Sequence, residues 1–113
     1  TTQLYVLLAA SYITASGNIT AYSDIRLKTD IEKIPNALNK VSKLNGYTFT
    51  RTDTKERQTG VIAQELLDVL PEAVMGSEDT QYSVAYGNMV GLLIEAIKEQ
   101  QVQIEELKKL TNK

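Results

Sequence analysis

The pattern of apolar and charged positions divides the chain into an uncharged beginning and a charged remainder. Residues 1–22 contain no Asp, Glu, Lys or Arg and are rich in Thr, Ser, Ala, Tyr and Ile. Gly17 and Asn18 separate ASYITAS from ITAYS, and this pattern predicts two short strands around a turn. Because two strands alone bury little surface, we expect this segment to join a larger β structure formed by upstream chain or by other subunits.

After Ser23, helical and strand-like patterns alternate. Apolar residues three and four apart predict a helix over Asp30–Gly46, with Asp30 as its N-cap, Pro35 near its first turn and Gly46 just past its end. Further along, a short helix is predicted over QELLDVLP, and the predicted strands are YTFT (47–50), GVIAQ (60–64), EAVMG (72–76) and YSVAY (82–86). These elements predict an α+β class, a small domain of few strands with a helix after residue 23.

The last part of the chain, residues 88–110, predicts one long helix with a heptad pattern. The a and d positions hold Val90, Leu93, Ile97, Gln100, Ile104 and Leu107. The alternative is a surface helix packed on its own domain. However, the apolar stripe narrows towards the C-terminus until little more than a and d remains, so we expect a self-associating coiled coil. The identities at a and d do not by themselves fix the number of strands.

Composition narrows the possible chemistry. The chain has 113 residues, enough for one modest domain, and a formal net charge of −2, which argues against a nucleic-acid partner. It has no Cys and no His, which removes thiolate sites, the commonest metal ligand and the commonest general base. No apolar run is long enough for a membrane span, and we expect no metal or cofactor. Any catalysis must therefore use Lys, Asp, Glu or Tyr with a Ser or Thr nucleophile.

Ser23 and Lys28, in the stretch AYSDIRLK, could form a minimal hydrolytic dyad at the border between the two parts. A serine hydroxyl attacks a carbonyl while a neutral lysine removes its proton. Lysine has an ordinary pKa of about 10.4, so it needs burial or a neighbouring cation to become neutral. Arg26 is a candidate for that cation, and Asp24 is placed to orient either side chain.

Geometry restricts this interpretation. Residues five apart lie on opposite faces of a straight strand and roughly 140° apart on a helix. A dyad therefore needs a bend between Ser23 and Lys28, or a lysine from another subunit. Ser–Lys pairs at this spacing are also common in ordinary proteins, and a Ser-Asp pair before basic residues is a usual capping arrangement.

Four stretches resemble a known family. They are NITAYSDIRLKTDIEKI, ALNKVSKLNGYTFT, GVIAQELLDVLPEAV and YSVAYGNMVGLLIEAIKEQ, which together cover about residues 18–110. In this order they resemble the intramolecular chaperone auto-processing domain found at the C-terminus of phage endosialidases, tailspikes and tail fibres. An L-shaped phage tail fibre is the kind of member that we expect. Because the sequence begins at Thr1 and not at Met, we also expect an upstream part of the protein.

The resemblance implies a function and its residues. Members trimerise through this domain, assist folding of the upstream β-rich trimer and then cut themselves off. Here the implied cut falls between Tyr22 and Ser23, with Ser23 as nucleophile and Lys28 as its base. Residues 1–22 would end the fibre, and residues 23–113 would be the chaperone. The implied supporting polar residues are Asp24, Arg26, Gln64 and Glu65.

The resemblance also implies where the protein acts and with what. Its partners would be two further copies of itself and the upstream fibre segment, without nucleic acid or membrane. It would act in the host cytoplasm during virion assembly and leave the mature fibre after cleavage. Two competing hypotheses remain at this point. One is a trimerisation module without peptidase activity, and the other is a receptor-binding fibre tip.

Overall fold

The chain divides into two compact units in a computed structural model that describes residues 12–112. The first unit is Thr1–Ile31, of which residues 12–31 are described, and the second is Glu32–Lys113. The second unit contains two small antiparallel sheets and a long C-terminal helix, so the predicted α+β class is confirmed. The predicted division after Tyr22 concerns where the chain is cut, and it stays a prediction.

Within the first unit, the predicted hairpin around Gly17-Asn18 is not formed among residues 12–22. The chain bends at Ser16 and Gly17, and no strand is present on either side of the bend within these residues. All of these side chains are exposed, including Ile13 and Ile19. An isolated two-stranded ribbon has no apolar face to bury, which explains why it does not pair by itself. The rest of the predicted β segment, residues 1–11, lies outside the described residues.

Helix α1 spans Ala37–Ser42 and is much shorter than the predicted Asp30–Gly46. Asp30 is not its N-cap, because Asp30 has a left-handed backbone (φ 52°) six residues before the helical N-cap, Asn36. Pro35 disfavours helical geometry at the residue before it, and Asn36 also adopts a left-handed conformation (φ 53°). The helix therefore begins only at Ala37. It ends at Ser42, so Gly46 does not terminate it.

The first hairpin pairs strand β1 (Tyr47–Thr50) with strand β2 (Arg57–Gly60). The prediction for β1 is confirmed, whereas the strand predicted at GVIAQ is wrong. The ladder already ends at Gly60, opposite Tyr47, and the next residues lead into helix α2 (Ala63–Val69). A short apolar run such as Val61-Ile62 fits either a strand or the entry to a helix, and periodicity alone cannot separate the two.

The second hairpin follows α2 and confirms two further strands. A 3-10 turn at Pro71–Ala73 leads from α2 to strand β3 (Val74–Ser77), which pairs with strand β4 (Gln81–Val84). The apolar positions of β4 alternate, as the sequence predicts, but the strand ends before Tyr86. A second 3-10 turn, Tyr86–Met89, leads directly into helix α3 (Val90–Thr111).

Helix α3 holds the small core of the second unit together. Its Leu92 and Ala96 are buried, and α1 and α3 pack against each other. The buried cluster consists of Ala37, Leu66, Val69, Leu70, Ala73, Leu92 and Ala96. This core covers only part of α3, and many apolar side chains of the helix remain exposed. No helix among residues 12–112 is long and apolar enough to cross a membrane.

Glu99 of α3 caps the N-terminus of α1. Its carboxylate accepts hydrogen bonds from the backbone N–H of Ala37 (2.8 Å) and Leu38 (3.1 Å). Asn36, the N-cap residue, makes no capping hydrogen bond with its own side chain, so Glu99 supplies the acceptor that α1 lacks. The N–H groups of Leu38 and Ala37 hold the pKa of Glu99 below its usual value.

We expect Glu99→Gln to lower the melting temperature at neutral pH by several degrees, because the cap loses its charge-assisted hydrogen bonds. A carboxylate whose pKa is depressed by folding contributes stability above its unfolded pKa, and that contribution disappears as the pH falls through the folded value. The difference in melting temperature between the wild type and Glu99→Gln should therefore shrink as the pH is lowered from about 7 to about 3. Thermal unfolding followed by circular dichroism measures it.

The matched control for this prediction is Glu106→Gln. Glu106 is an exposed carboxylate of the same helix, away from α1 in sequence. The substitution Glu106→Gln should leave the melting temperature close to that of the wild type at about pH 7 and at about pH 3. Equal effects of the two substitutions would contradict a specific cap at Glu99.

Candidate self-cleavage site

A short turn follows Ser23 and bends the chain sharply. Residues Ile25–Leu27 form a 3-10 turn that begins after the extended residue Asp24 (φ −62°, ψ 140°). Its backbone bonds join Leu27 N–H to the carbonyl of Asp24 (3.0 Å) and Lys28 N–H to that of Ile25 (3.1 Å). A 3-10 turn completes a rotation in about three residues, so it changes the relative direction of the flanking side chains. The turn therefore supplies the bend that a Ser–Lys pair requires at this spacing.

Lys28 and Ser23 are in direct contact across this turn. Lys28 Nζ donates to Ser23 Oγ at 2.6 Å, and both residues belong to the same chain. Neither a straight strand nor a helix would allow this contact between residues five apart. A bend within one chain, one of the two possibilities that the sequence left open, therefore accounts for this contact. In the neutral form of the amine, the same contact would let Nζ accept the hydroxyl proton.

Asp24 and Arg26 form a bidentate ion pair on the same turn. Asp24 Oδ1 accepts from Arg26 Nε (3.0 Å), and Asp24 Oδ2 accepts from Arg26 Nη2 (2.9 Å). Asp24 Oδ1 also accepts from the backbone N–H of Arg26 at 2.8 Å. These bonds to Arg26, side chain first and backbone second, lower the pKa of Asp24, and the bond to Asp24 raises the pKa of Arg26.

The residues around the predicted scissile bond are exposed. Tyr22 is 92% exposed, and Ile25 and Leu27 also present most of their apolar surface to solvent. Ser23 and Lys28 are exposed as well. The bond between Tyr22 and Ser23 therefore lies at the surface of a single chain, next to apolar side chains that its own fold leaves uncovered.

Gln64 and Glu65 lie in the first turn of α2, in the second unit. Gln64 lines a cleft of about 410 Å³ together with Glu78, Gln81 and Tyr82 of the second hairpin. Glu65 accepts a hydrogen bond from Tyr47 Oη at 2.8 Å, and Asn45 Nδ2 lies 3.4 Å from the same carboxylate. The bond to Glu65 is the main reason why the pKa of Tyr47 is raised. A supporting role of Gln64 and Glu65 for the Ser23–Lys28 dyad stays a prediction.

Sequence patterns did not indicate the contacts of Tyr47 or Glu99. Tyr47 belongs to the predicted strand YTFT, whose alternation gives no indication that the hydroxyl of Tyr47 donates to Glu65. Glu99 lies 62 positions after Ala37, its hydrogen-bond partner. A contact over such a distance leaves no local sequence signal. Both residues therefore could be identified only from the folded chain.

The predicted heptad positions of α3 are open to solvent. Val90, Leu93, Ile97, Gln100, Ile104 and Leu107 are all exposed. Leu92, in contrast, is fully buried on the face that packs within the unit. Leu92 and Ile97 are five residues apart, which corresponds to about 140° around a helix. The helix therefore presents one apolar face to its own core and a second, uncovered one to solvent.

Among the described residues, no group of His, Cys, Asp and Glu is arranged to hold a metal ion. The turn itself brings a serine hydroxyl and a lysine amine together. A serine hydroxyl in contact with a lysine amine can act as a nucleophile with its base. The peptide bond closest to this hydroxyl along the chain is the one that precedes Ser23.

Comparison with known proteins places this turn at the start of a matched family region. Residues 23–75 match the model of a peptidase family described as the chaperone of endosialidase. The match begins at Ser23 and includes the Ser–Lys turn, both hairpin strands of the first sheet and α2.

Curated relatives are long tail fibre proteins named Gp37. The chain is 39% identical over 99 residues to Gp37 of Enterobacteria phage T2, which covers 80% of this chain and 7% of that protein. It is 37% identical over 99 residues to Gp37 of Escherichia phage AR1, covering 79% of this chain and 9% of that protein. With Gp37 of Salmonella phage S16 it shares 30% over 125 residues, 89% of this chain and 17% of that protein.

The chain thus spans less than one fifth of the length of these three relatives. The expectation of a phage tail fibre agrees with their names. The narrower expectation of an L-shaped fibre stays a prediction.

Proposed function

Because residues 23–75 place this chain in the family of endosialidase chaperones, we propose that it is an intramolecular chaperone that ends its task by cutting itself from an upstream tail fibre. The proposed cut lies between Tyr22 and Ser23. The observation that carries this proposal is the contact of 2.6 Å between Lys28 Nζ and Ser23 Oγ. The start of the family match at Ser23 supports the same position.

The proposed reaction begins with an attack of Ser23 on the carbonyl carbon of Tyr22. As Ser23 Oγ forms its bond to this carbon, neutral Lys28 takes the hydroxyl proton and later delivers it to the departing nitrogen of Ser23. The C–N bond breaks, and the product is an ester between Tyr22 and Ser23. Water then hydrolyses the ester, which leaves a carboxylate on Tyr22 and a free hydroxyl and amine on Ser23. Attack on the same bond of a neighbouring chain is the alternative route.

Lys28 needs an environment in which its amine can lose a proton. In the single chain the Lys28 side chain is exposed to water. Assembly would change this environment, because a neighbouring subunit or the fibre end can cover the apolar side chains of Tyr22, Ile25 and Leu27. Burial of the turn would then favour the neutral amine and allow the reaction to proceed.

The chaperone role follows from the contrast between the two parts of the chain. Residues 1–22 are uncharged, and such β-forming segments pair slowly and aggregate easily. A homotrimer built on the uncovered face of α3 would hold three of these segments at high effective concentration and in matching positions. Cleavage afterwards removes the helper, so the folded fibre cannot easily return to its unfolded state.

The proposed partners are therefore further copies of the chain and the fibre segment upstream of Ser23. The proposed place of action is the cytoplasm of the host during virion assembly, followed by release from the mature fibre. The long tail fibre relatives support this setting. No cofactor takes part in the proposed reaction.

A trimerisation module without peptidase activity is the second candidate function. The exposure of both dyad side chains favours it, since an exposed Ser–Lys contact also occurs in proteins that catalyse nothing. The two candidates differ in one measurable property, which is the N-terminal residue of the folded domain.

The test is to express the chain with an upstream fibre segment and to measure the masses and N-terminal residues after folding. We expect two pieces, one ending at Tyr22 and one beginning at Ser23, and a single intact chain for Ser23→Ala. Ser16→Ala, which removes an exposed serine upstream of the turn, is the control and should be cleaved. An intact wild-type trimer would support the second candidate. Cleavage that persists in both Ser23→Ala and Lys28→Ala would refute the proposed dyad.

A further inference from the structure

The turn between Ser23 and Lys28 is closed by a side chain as well as by backbone bonds. Asp24 Oδ1 accepts from the backbone N–H of Arg26 (2.8 Å), in the manner of a helix N-cap. The same carboxylate holds the Arg26 guanidinium by two parallel bonds of 3.0 and 2.9 Å. Three donors therefore converge on one carboxylate inside the loop that brings Lys28 to Ser23.

The contact between Lys28 and Ser23 has little other support in the described chain. Both residues are exposed, and the turn contains no buried residue. A side chain as long as lysine has many rotamers, so an exposed contact persists only if the backbone on both sides is fixed. The backbone bonds of the turn and the Asp24–Arg26 pair are the interactions that fix it.

We propose that Asp24 and Arg26 are positioning residues, which close the turn and so keep the amine of Lys28 within hydrogen-bond distance of the hydroxyl of Ser23. This inference rests on the proposed self-cleavage. It differs from a role of Arg26 as the cation that makes Lys28 neutral. The guanidinium already faces the carboxylate of Asp24, and the Arg26 side chain is 86% exposed, so its charge is both paired and hydrated.

The chain offers a matched control in the loop of the first hairpin. Arg51 and Asp53 form the same kind of pair, also two residues apart, with bonds of 2.9 and 2.6 Å. Asp53 likewise accepts from a neighbouring backbone N–H, that of Thr54. This pair belongs to the second unit and lies outside the Ser23–Lys28 turn. It therefore reproduces the chemistry of the Asp24–Arg26 pair without the proposed role.

The experiment measures self-cleavage rates of the full chain with its upstream segment. We expect Asp24→Ala to slow cleavage by roughly tenfold, which corresponds to the loss of a cap and an exposed ion pair. Asp24→Asn keeps an acceptor for the backbone N–H, and Arg26→Lys keeps the charge, so each should cost only about two- to fivefold. Asp53→Ala should cleave at the wild-type rate, and all variants should keep the wild-type melting temperature of the second unit.

The dependence of the rate on pH separates positioning from a direct effect on the base. If the pair positions Lys28, Arg26→Met and Asp24→Ala each lower the self-cleavage rate by a factor that does not change with pH. The pH at which the rate is half-maximal then stays at its wild-type value. A midpoint that moves to higher pH in Arg26→Met would overturn the proposal in favour of the cation role. Wild-type rates in Asp24→Ala would overturn it as well. A wild type that is never cleaved would instead refute the proposed function itself.

Discussion

Replacing Lys28 with arginine should leave the full chain uncleaved, although the protein still folds and assembles. Arginine keeps the positive charge and can donate a hydrogen bond to Ser23 Oγ, as Lys28 does at 2.6 Å. It cannot act as a base, because its guanidinium stays protonated at any pH that a protein tolerates. Loss of a general base typically slows a reaction by about 10²- to 10⁴-fold. Time courses on denaturing gels, confirmed by intact mass, would show the full-length chain persisting.

This substitution separates a chemical role of Lys28 from a structural one. If the lysine only held the turn by donating to Ser23, arginine would preserve the contact and cleavage would continue at a similar rate. Lys28→Ala should be equally inactive, since it removes both the base and the contact. Lys33→Ala provides the control, because Lys33 is an exposed lysine of the same region. Cleavage of Lys28→Arg at the wild-type rate would contradict the proposed mechanism.

Introducing a charge at Ile97 should dissociate the proposed homotrimer. Ile97 occupies a heptad a position and is 65% exposed in the single chain, on a face of α3 away from the buried Leu92. Ile97→Asp would place one carboxylate from each subunit in the centre of the seam, where each is desolvated and repelled by the others. The concentration at which the trimer half-dissociates should rise by more than about 100-fold. For a trimer this concentration varies as the square root of the dissociation constant, so the change corresponds to about 5.5 kcal/mol per trimer.

The control for Ile97→Asp is Val102→Asp on the same helix. Val102 is 59% exposed but lies outside the a and d positions, so its replacement should leave the trimer intact. Light scattering during size-exclusion chromatography measures the mass of each variant over a range of concentrations. Circular dichroism shows whether α3 remains helical. Equal dissociation by both substitutions, or by neither, would contradict the proposed seam.

Loss of the trimer should also reduce self-cleavage of the full chain. The exposed apolar side chains around Tyr22 would then have no neighbouring subunit to cover them. The effects of Lys28→Arg and Ile97→Asp nevertheless remain distinguishable, because only Ile97→Asp changes the number of subunits in the assembly.

Much of the fold was predictable from local patterns. The long helix was predicted because apolar residues continue at heptad spacing without a breaker, and α3 spans Val90–Thr111. The alternation in YTFT predicted β1 correctly. The helix over Asp30–Gly46 was overextended, because apolar spacing continued across Pro35 and Asn36 while the backbone there turned away from helical geometry.

The candidate site was predictable in its residues and not in its geometry. The stretch AYSDIRLK contains Ser23, Asp24, Arg26 and Lys28, so the residues of the candidate site could be chosen from the sequence alone. Spacing alone made a contact between Ser23 and Lys28 unfavourable in any regular element. Whether the chain bends between them depends on backbone hydrogen bonds and on the carboxylate of Asp24, which a linear pattern does not reveal.

The sequence by itself thus determined the uncharged beginning, the chemistry available without Cys or His, and the long heptad helix. These are properties of residue identity and of periodicity along one element. Only the tertiary structure decided that Lys28 reaches Ser23 within one chain, and that Glu99 caps a helix 62 positions before it. Such contacts depend on turn geometry and on the packing of distant elements. Local sequence constrains both only weakly, because many backbone paths are compatible with the same residues.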